Sequence, residues 1–280
     1  MSSRRRLGPS LALVTLIAGS VALAAPAPAG ATALGVTATT AGSVVNIDLT
    51  GDGYVNIFCD ALGQVKVNST VATPVLACDS VTSVHITGDD GATYINDFAL
   101  SDADAFGGLP NLIAPLNGGA DVIWETRKAD TITMGAGDDS LLLLSGGVAN
   151  TQAAMNAGTG DTLYVDATEG DDTMTVTATN VEGRATVAVT TGAVVSSSTA
   201  TSVEYLTVRG GGGDDTIDAS GVGAGTNLTG MSLFGDAGND DITAGAVSAY
   251  IGGGSGTNTL VGGPESDQLW SSSETDTVNS

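Results

Sequence analysis

The chain is short of positive charge, of histidine and of cysteine. Its 280 residues hold eight Lys and Arg against 31 Asp and Glu. Nucleic acid and anionic membrane surfaces are held by the opposite balance, which argues against both as partners. The single histidine, His85, lies in a strand-like run. No nucleophile elbow accompanies it, so no Ser–His–Asp arrangement is evident. Two cysteines, Cys59 and Cys78, do not make a zinc constellation. Glutamate is scarce too, with 25 Asp and only 6 Glu. A merely solvated surface uses Glu freely. Asp in excess belongs in turns, where its short side chain reaches the backbone or a metal.

The N-terminus reads as an export signal. Arg4, Arg5 and Arg6 form a positive region, Leu11 to Ala25 an apolar one, and Ala29-Gly30-Ala31 and Ala31-Thr32-Ala33 offer small-residue cleavage sites. Gly19 and Pro26 argue against a membrane anchor, and no later stretch is long enough to span a bilayer. Cleavage after Ala33 makes 1–33 the signal peptide and 34–280 the secreted chain. The signal carries three basic residues and no acids, leaving five basic against 31 acidic residues, a formal charge of −26. Export predicts a Cys59–Cys78 disulfide. It closes a loop of about 20 residues, worth about 3 kcal/mol on the chain-entropy model.

A phrase of glycines, then aspartate, then an aliphatic residue keeps returning. It reads Gly-Ala-Gly-Asp-Asp-Ser-Leu at 135–141, Gly-Gly-Gly-Asp-Asp-Thr-Ile at 211–217 and Gly-Asp-Ala-Gly-Asn-Asp-Asp-Ile at 235–242. The glycines permit a tight turn, the aspartate supplies a hard oxygen, and the aliphatic residue points to a core. The marker falls at Asp121, Asp130 and Asp139, then at Asp161, Asp172 and Asp215. Towards the C-terminus it is read at Asp241, Tyr250, Asn258, Asp267 and Asp276. Spacings near nine predict two short strands and two turns per 18-residue coil, with larger coils where the gaps widen. Residues 121 and 139, and 258 and 276, should then stack. A longer similarity lays Val81–Asn96 over Val203–Asp218 at an offset of 122. It suggests one solenoid of two related halves, about 44–150 and 163–280. Strands are expected at Val44–Leu49, Val84–Thr87, Thr173–Thr177, Ala185–Val189, Tyr205–Val208 and Met231–Phe234. Asn150–Ala157 is the one helix-like stretch, and Ser101–Leu109 reads as an acidic loop.

The repeats resemble the hemolysin-type (RTX) calcium-binding nonapeptide, Gly-Gly-x-Gly-x-Asp-x-aliphatic-x, best at 210–218, 235–243 and 134–142. Asn258 and Tyr250 depart from the pattern, and Pro264-Glu265 interrupts a glycine turn. The resemblance implies an all-β fold, a right-handed parallel β-helix or β-roll solenoid, with calcium between adjacent turns. Its ligands would come from Asp121, Asp130, Asp138, Asp139, Asp161, Asp171, Asp172, Asp214, Asp215, Asp236, Asp240, Asp241, Asn258, Asp267 and Asp276. Doubled acids at a turn repel without a cation and stabilise with one. The metal-free alternative is an Asp that accepts turn N–H bonds.

The functional expectation is a secreted calcium-binding solenoid without catalytic activity, structural or adhesive. Its expected partners are calcium, a cell-surface glycan or protein, and other copies stacked end to end. Two other classes stand beside it. One is a polysaccharide lyase, epimerase or hydrolase on a β-helix, for which Arg127-Lys128 marks the groove. The other is a carbohydrate-binding module using Trp124 and Trp270. Acids, an arginine and an aromatic across adjacent coils would favour the enzyme. A flat aromatic face would favour the binder.

Overall fold

Alternation sets the strands. In Val44–Thr50 the side chains of Val45, Ile47 and Leu49 are buried and those between them are not. In Tyr205–Gly212 Leu206 and Val208 are buried in the same way. Runs this short bury one face only, so each needs a neighbour above and below. The computed structural model, described for residues 35–96, 106, 111–125, 130–144, 151–181, 184–191, 196–272 and 275–280, supplies them by stacking coils. The expected export signal and the Ser101–Leu109 loop, Phe106 apart, lie outside the described residues, as does Arg127-Lys128.

The described strands form two sheets, one of 13 strands and one of 11. The chain alternates between them, a turn at each crossing, so two strands and two turns complete a coil. In the eleven-stranded sheet Ile123, Leu141, Leu163, Leu206 and Met231 follow one another in parallel register. In the other, Met174, Ile217, Ile242 and Leu260 do the same. Ile123, Leu141, Leu163, Met174, Ile217 and Ile242 stand two residues after Asp121, Asp139, Asp161, Asp172, Asp215 and Asp240; Leu206 and Leu260 follow Glu204 and Asn258 in the same way. They meet between the sheets in one continuous core that runs from Val45 to Leu260. The fold is all-β, with parallel strands consistent with a β-roll.

Three departures have local causes. Gly35–Ala41 pairs antiparallel with Val44–Thr50, and Gly53–Cys59 with Val65–Val67, so the first coil carries hairpins. Cys59 and Cys78 are bonded there, with Cα atoms 6.1 Å apart, which ties a strand to the short 3₁₀ turn Cys78–Ser80. Between Asp172 and Asp215 the extra length is not a wide coil. It is an excursion in which Thr173–Val181, Arg184–Thr191 and Ser196–Thr201 pair antiparallel within the thirteen-stranded sheet. The helix-like reading of Asn150–Ala157 is corrected: Gln152–Ala154 is a strand between Thr131–Thr133 and Ser196–Thr201, where parallel pairing on both sides overrides a weak local preference. Among the described residues no helix is long and apolar enough to cross a membrane.

Candidate calcium-binding turns

Each turn that ends in a repeat aspartate delivers that side chain to the coil before it. The Thr93 N–H donates to Asp121 Oδ1 at 2.7 Å, Asp121 N–H to Asp139 at 2.8 Å, and Asp139 N–H to Asp161 at 2.8 Å. Glu204 ends this column by accepting from Asp161 N–H at 3.0 Å. A second column runs Asp172, Asp215, Asp240, Asn258, Asp276, each N–H donating to the next side-chain Oδ1 at 2.8–2.9 Å. The first column lies where the chain passes from the thirteen-stranded to the eleven-stranded sheet. The second lies at the opposite edge, where it passes back.

The doubled acids divide the work. Asp171 Oδ1 accepts from Asp214 N–H, Asp214 Oδ1 from Asn239 N–H, and Asn239 Oδ1 from Thr257 N–H, at 2.8–2.9 Å. This outer column runs in the reverse sense, so neighbouring turns are stitched by reciprocal bonds. Asp138 does likewise, accepting from Thr159 N–H at 3.0 Å. Asp130 accepts from Leu112 N–H, and Asp267 from Ala249 N–H and Gly263 N–H. Asp236 is drawn elsewhere: Arg209 donates to both its oxygens at 2.8 Å.

The register of the C-terminal coils differs from the sequence reading by one residue. Asp240, not Asp241, sits in the inner column, and Ala249, not Tyr250, holds the following place. Asp241 opens a strand and is exposed, and Tyr250 lies on an outer strand face. The true spacing from 240 to 276 is nine throughout. Adjacent acids at 240 and 241 hid it, because either fits the local pattern.

In five of the inner carboxylates one oxygen is used and the other is stranded, whereas Asp172 Oδ2 accepts from Thr168 and Asp276 Oδ2 from Ser271. Oδ2 of Asp121, Asp139, Asp161, Asp215 and Asp240 is buried without a hydrogen-bond partner. Burial pushes Asp121 and Asp161 up to about 7 and Asp215 to about 6, with neighbouring carboxylates adding to the effect and the accepted N–H bonds opposing it. Asp139 and Asp240 are raised for the same first reason. An ionised carboxylate with a buried bare oxygen requires a proton or a cation.

The donor set fits calcium better in the second column. Five residues before Asp215, Asp240 and Asn258 of this column stand Gly210, Gly235 and Gly253, and Gly262 stands likewise before Asp267 on the opposite edge. A Cβ on Gly210 would collide with Asp215 Oδ2, and Gly235 O lies 2.8 Å from the same point. A Cβ on Gly235 would likewise meet Asp240 Oδ2. A carboxylate oxygen and a main-chain carbonyl thus border one opening. In the first column the equivalent places hold Leu116 and Met134, whose side chains join the core. No three His, Cys, Asp or Glu side chains converge among the described residues. Calcium does not require that, since it takes carbonyl and water oxygens beside one or two carboxylates.

The architecture is therefore a parallel β-solenoid whose coils are joined by glycine-rich acidic turns. Residues 207–221, 232–247 and 252–280 match the RTX calcium-binding nonapeptide repeat, in four copies. These coils are similar to RTX repeats, which bind calcium. No curated protein and no solved structure matches the chain. The matched stretches coincide with the second column, where the glycines stand.

Proposed function

We propose that the protein is a secreted, calcium-loaded β-roll with a structural or adhesive role outside the cell, and that calcium enters chiefly at the turns of Asp215 and Asp240. The stranded Oδ2 atoms beside Gly210 and Gly235 carry this reading. Asp171, Asp172, Asp214, Asn258 and Asp276 complete the walls of those turns. The turns of Asp121, Asp139 and Asp161 hold the same ladder with Leu116, Met134 and Asn156, not glycine, five residues before the aspartate, and are the weaker sites. RTX repeats are generally found in extracellular proteins, which supports export through residues 1–33. The mature chain then begins at Leu34, and mass spectrometry of the exported protein tests that point.

The enzyme reading has one feature in its favour. Asp166, Arg209, Phe234 and Asp236 lie on adjacent coils of the eleven-stranded sheet. However, Arg209 gives Nε and an NH2 nitrogen to Asp236 and stands over Phe234 at 5.8 Å. A guanidinium so held is a surface brace, not a group offered to substrate.

Calcium titration calorimetry on three variants tests the sites. Asp215→Asn and Asp240→Asn keep an oxygen for the ladder bond, as Asn258 does naturally, and remove the charge. Each is expected to weaken calcium binding at least tenfold. Asp241→Asn is expected to leave it unchanged. An equal loss in all three would mean a diffuse charge effect in place of defined sites.

A further inference from the structure

The outward face of the eleven-stranded sheet differs from the rest of this acidic molecule. On its strands Thr162–Asp166, Tyr205–Gly212, Gly230–Ala237, Ala249–Gly252 and Gln268–Trp270, the outward charges are Asp166, Arg209 and Asp236 alone. Arg209 and Asp236 neutralise each other at 2.8 Å. The acid-rich turns lie along the two edges of the sheet. Between them the face is close to neutral in a chain of net charge −23.

Rings occupy this face instead. Tyr164, Tyr205, Tyr250 and Trp270 are 38–65% exposed. Parallel register places Tyr164, Thr207, Ser232, Tyr250 and Gln268 in one row along the solenoid. Thr207 and Ser232 are small, so the row dips between the two tyrosines. Tyr205 flanks the dip on one side, beside Gly230, and Phe234 on the other, its ring lying over Gly252 and 5.7 Å from that of Tyr250. At about 4.8 Å per strand the two tyrosines of the row stand about 14 Å apart. Tyr164, Tyr205 and Trp270 have no ring partner among the described residues, unlike Tyr54 and Tyr94, which cover each other at 5.1 Å.

We propose that this trough, floored by Thr207 and Ser232 and bounded by Tyr164, Tyr205, Phe234 and Tyr250, binds a neutral, extended β-1,4-linked glycan. Such a chain is a flat ribbon with apolar ring faces and hydroxyl edges. Exposed aromatic rings match the faces. The hydroxyls of Thr207 and Ser232 and the Gln268 amide match the edges. Charge selects the occupant. The aspartate edges repel an anionic polymer and a second copy of this chain alike, and a neutral ribbon meets no such cost. The site is separate from the calcium turns, so it stands or falls independently of them.

Affinity electrophoresis of the calcium-loaded full mature chain tests it, in gels containing hydroxyethylcellulose or carboxymethylcellulose, which share a backbone and differ in charge. Retardation is expected in the first and little in the second. Tyr164→Ala with Tyr250→Ala should weaken it at least tenfold, and Tyr164→Phe should not. Ser232→Trp, which fills the floor and removes no ring, should also abolish it, with the circular dichroism of each variant unchanged. Equal or stronger retardation in carboxymethylcellulose, no retardation by the neutral polymer, or a response blind to both the double variant and Ser232→Trp would overturn the proposal. So would a dimer, seen by sedimentation, that Tyr250→Ala dissolves, since the face would then belong to a second copy.

Discussion

At the residue scale the aspartates do two jobs with two oxygens. Oδ1 completes a backbone hydrogen bond across coils, and the metal-free reading of turn aspartates is satisfied there. Oδ2 is left bare. The consequence is a pH dependence of unusual sign. The folded carboxyls of Asp121, Asp161 and Asp215 hold protons up to about 7, 7 and 6, against about 4 in the unfolded chain. Between those limits the folded state binds more protons, so stability falls as pH rises. Their contribution is complete below about pH 4 and is lost as pH climbs through about 6–7. In chelator, urea midpoints should be lower at pH 7.5 than at pH 5. With millimolar calcium the order should reverse, since the metal takes the ionised form. A midpoint in chelator that ignores pH would count against bare buried carboxylates.

At the element scale the half-coil is the unit, and this explains what the sequence made legible. The aspartate-to-aliphatic step predicted strands, turns and an inward row, and Ile123, Leu141 and Ile217 lie there as expected. The stacking partners 121 with 139 and 258 with 276 came from spacing alone. Less legible was the edge on which each turn sits. The segment Val81–Asn96 crosses from the thirteen-stranded to the eleven-stranded sheet, and its similar segment Val203–Asp218 crosses the other way. A nine-residue unit reads the same on either sheet, so sequence similarity cannot distinguish a whole-coil shift from a half-coil shift. The antiparallel excursion after Thr173 was hidden for a related reason: its alternating Thr, Val and Ala also suit a coil strand. The aromatic face was hidden because its rings are scattered in sequence and meet only through register.

Glycine tests the element directly. Gly235→Ala puts a Cβ against Asp240 Oδ2, whereas a Cβ on Gly223 meets nothing within 4 Å. The first change should cost about 1–3 kcal/mol, the usual range for overpacking, and should weaken calcium binding. Gly223→Ala should be neutral. Thermal unfolding of both, with and without calcium, checks the contrast.

At the scale of the whole molecule, N-terminal and C-terminal coils share one core but not one source of stability. The N-terminal coils have the Cys59–Cys78 bond and fill their turns with Leu116 and Met134. The C-terminal coils have open glycine turns and inner and outer acids in register, which repel until a cation enters. A site held at 100 times its dissociation constant contributes about 2.7 kcal/mol through mass action. The measurement that bears most directly on the account is hydrogen exchange of the mature chain in chelator and in millimolar calcium. Amides of the coils from Tyr205 to Val261 should lose protection when calcium is removed, while those of Val44–Thr50 and Ser83–Thr87 keep most of theirs. Equal protection of the C-terminal coils in both conditions would contradict calcium-dependent stability of these turns.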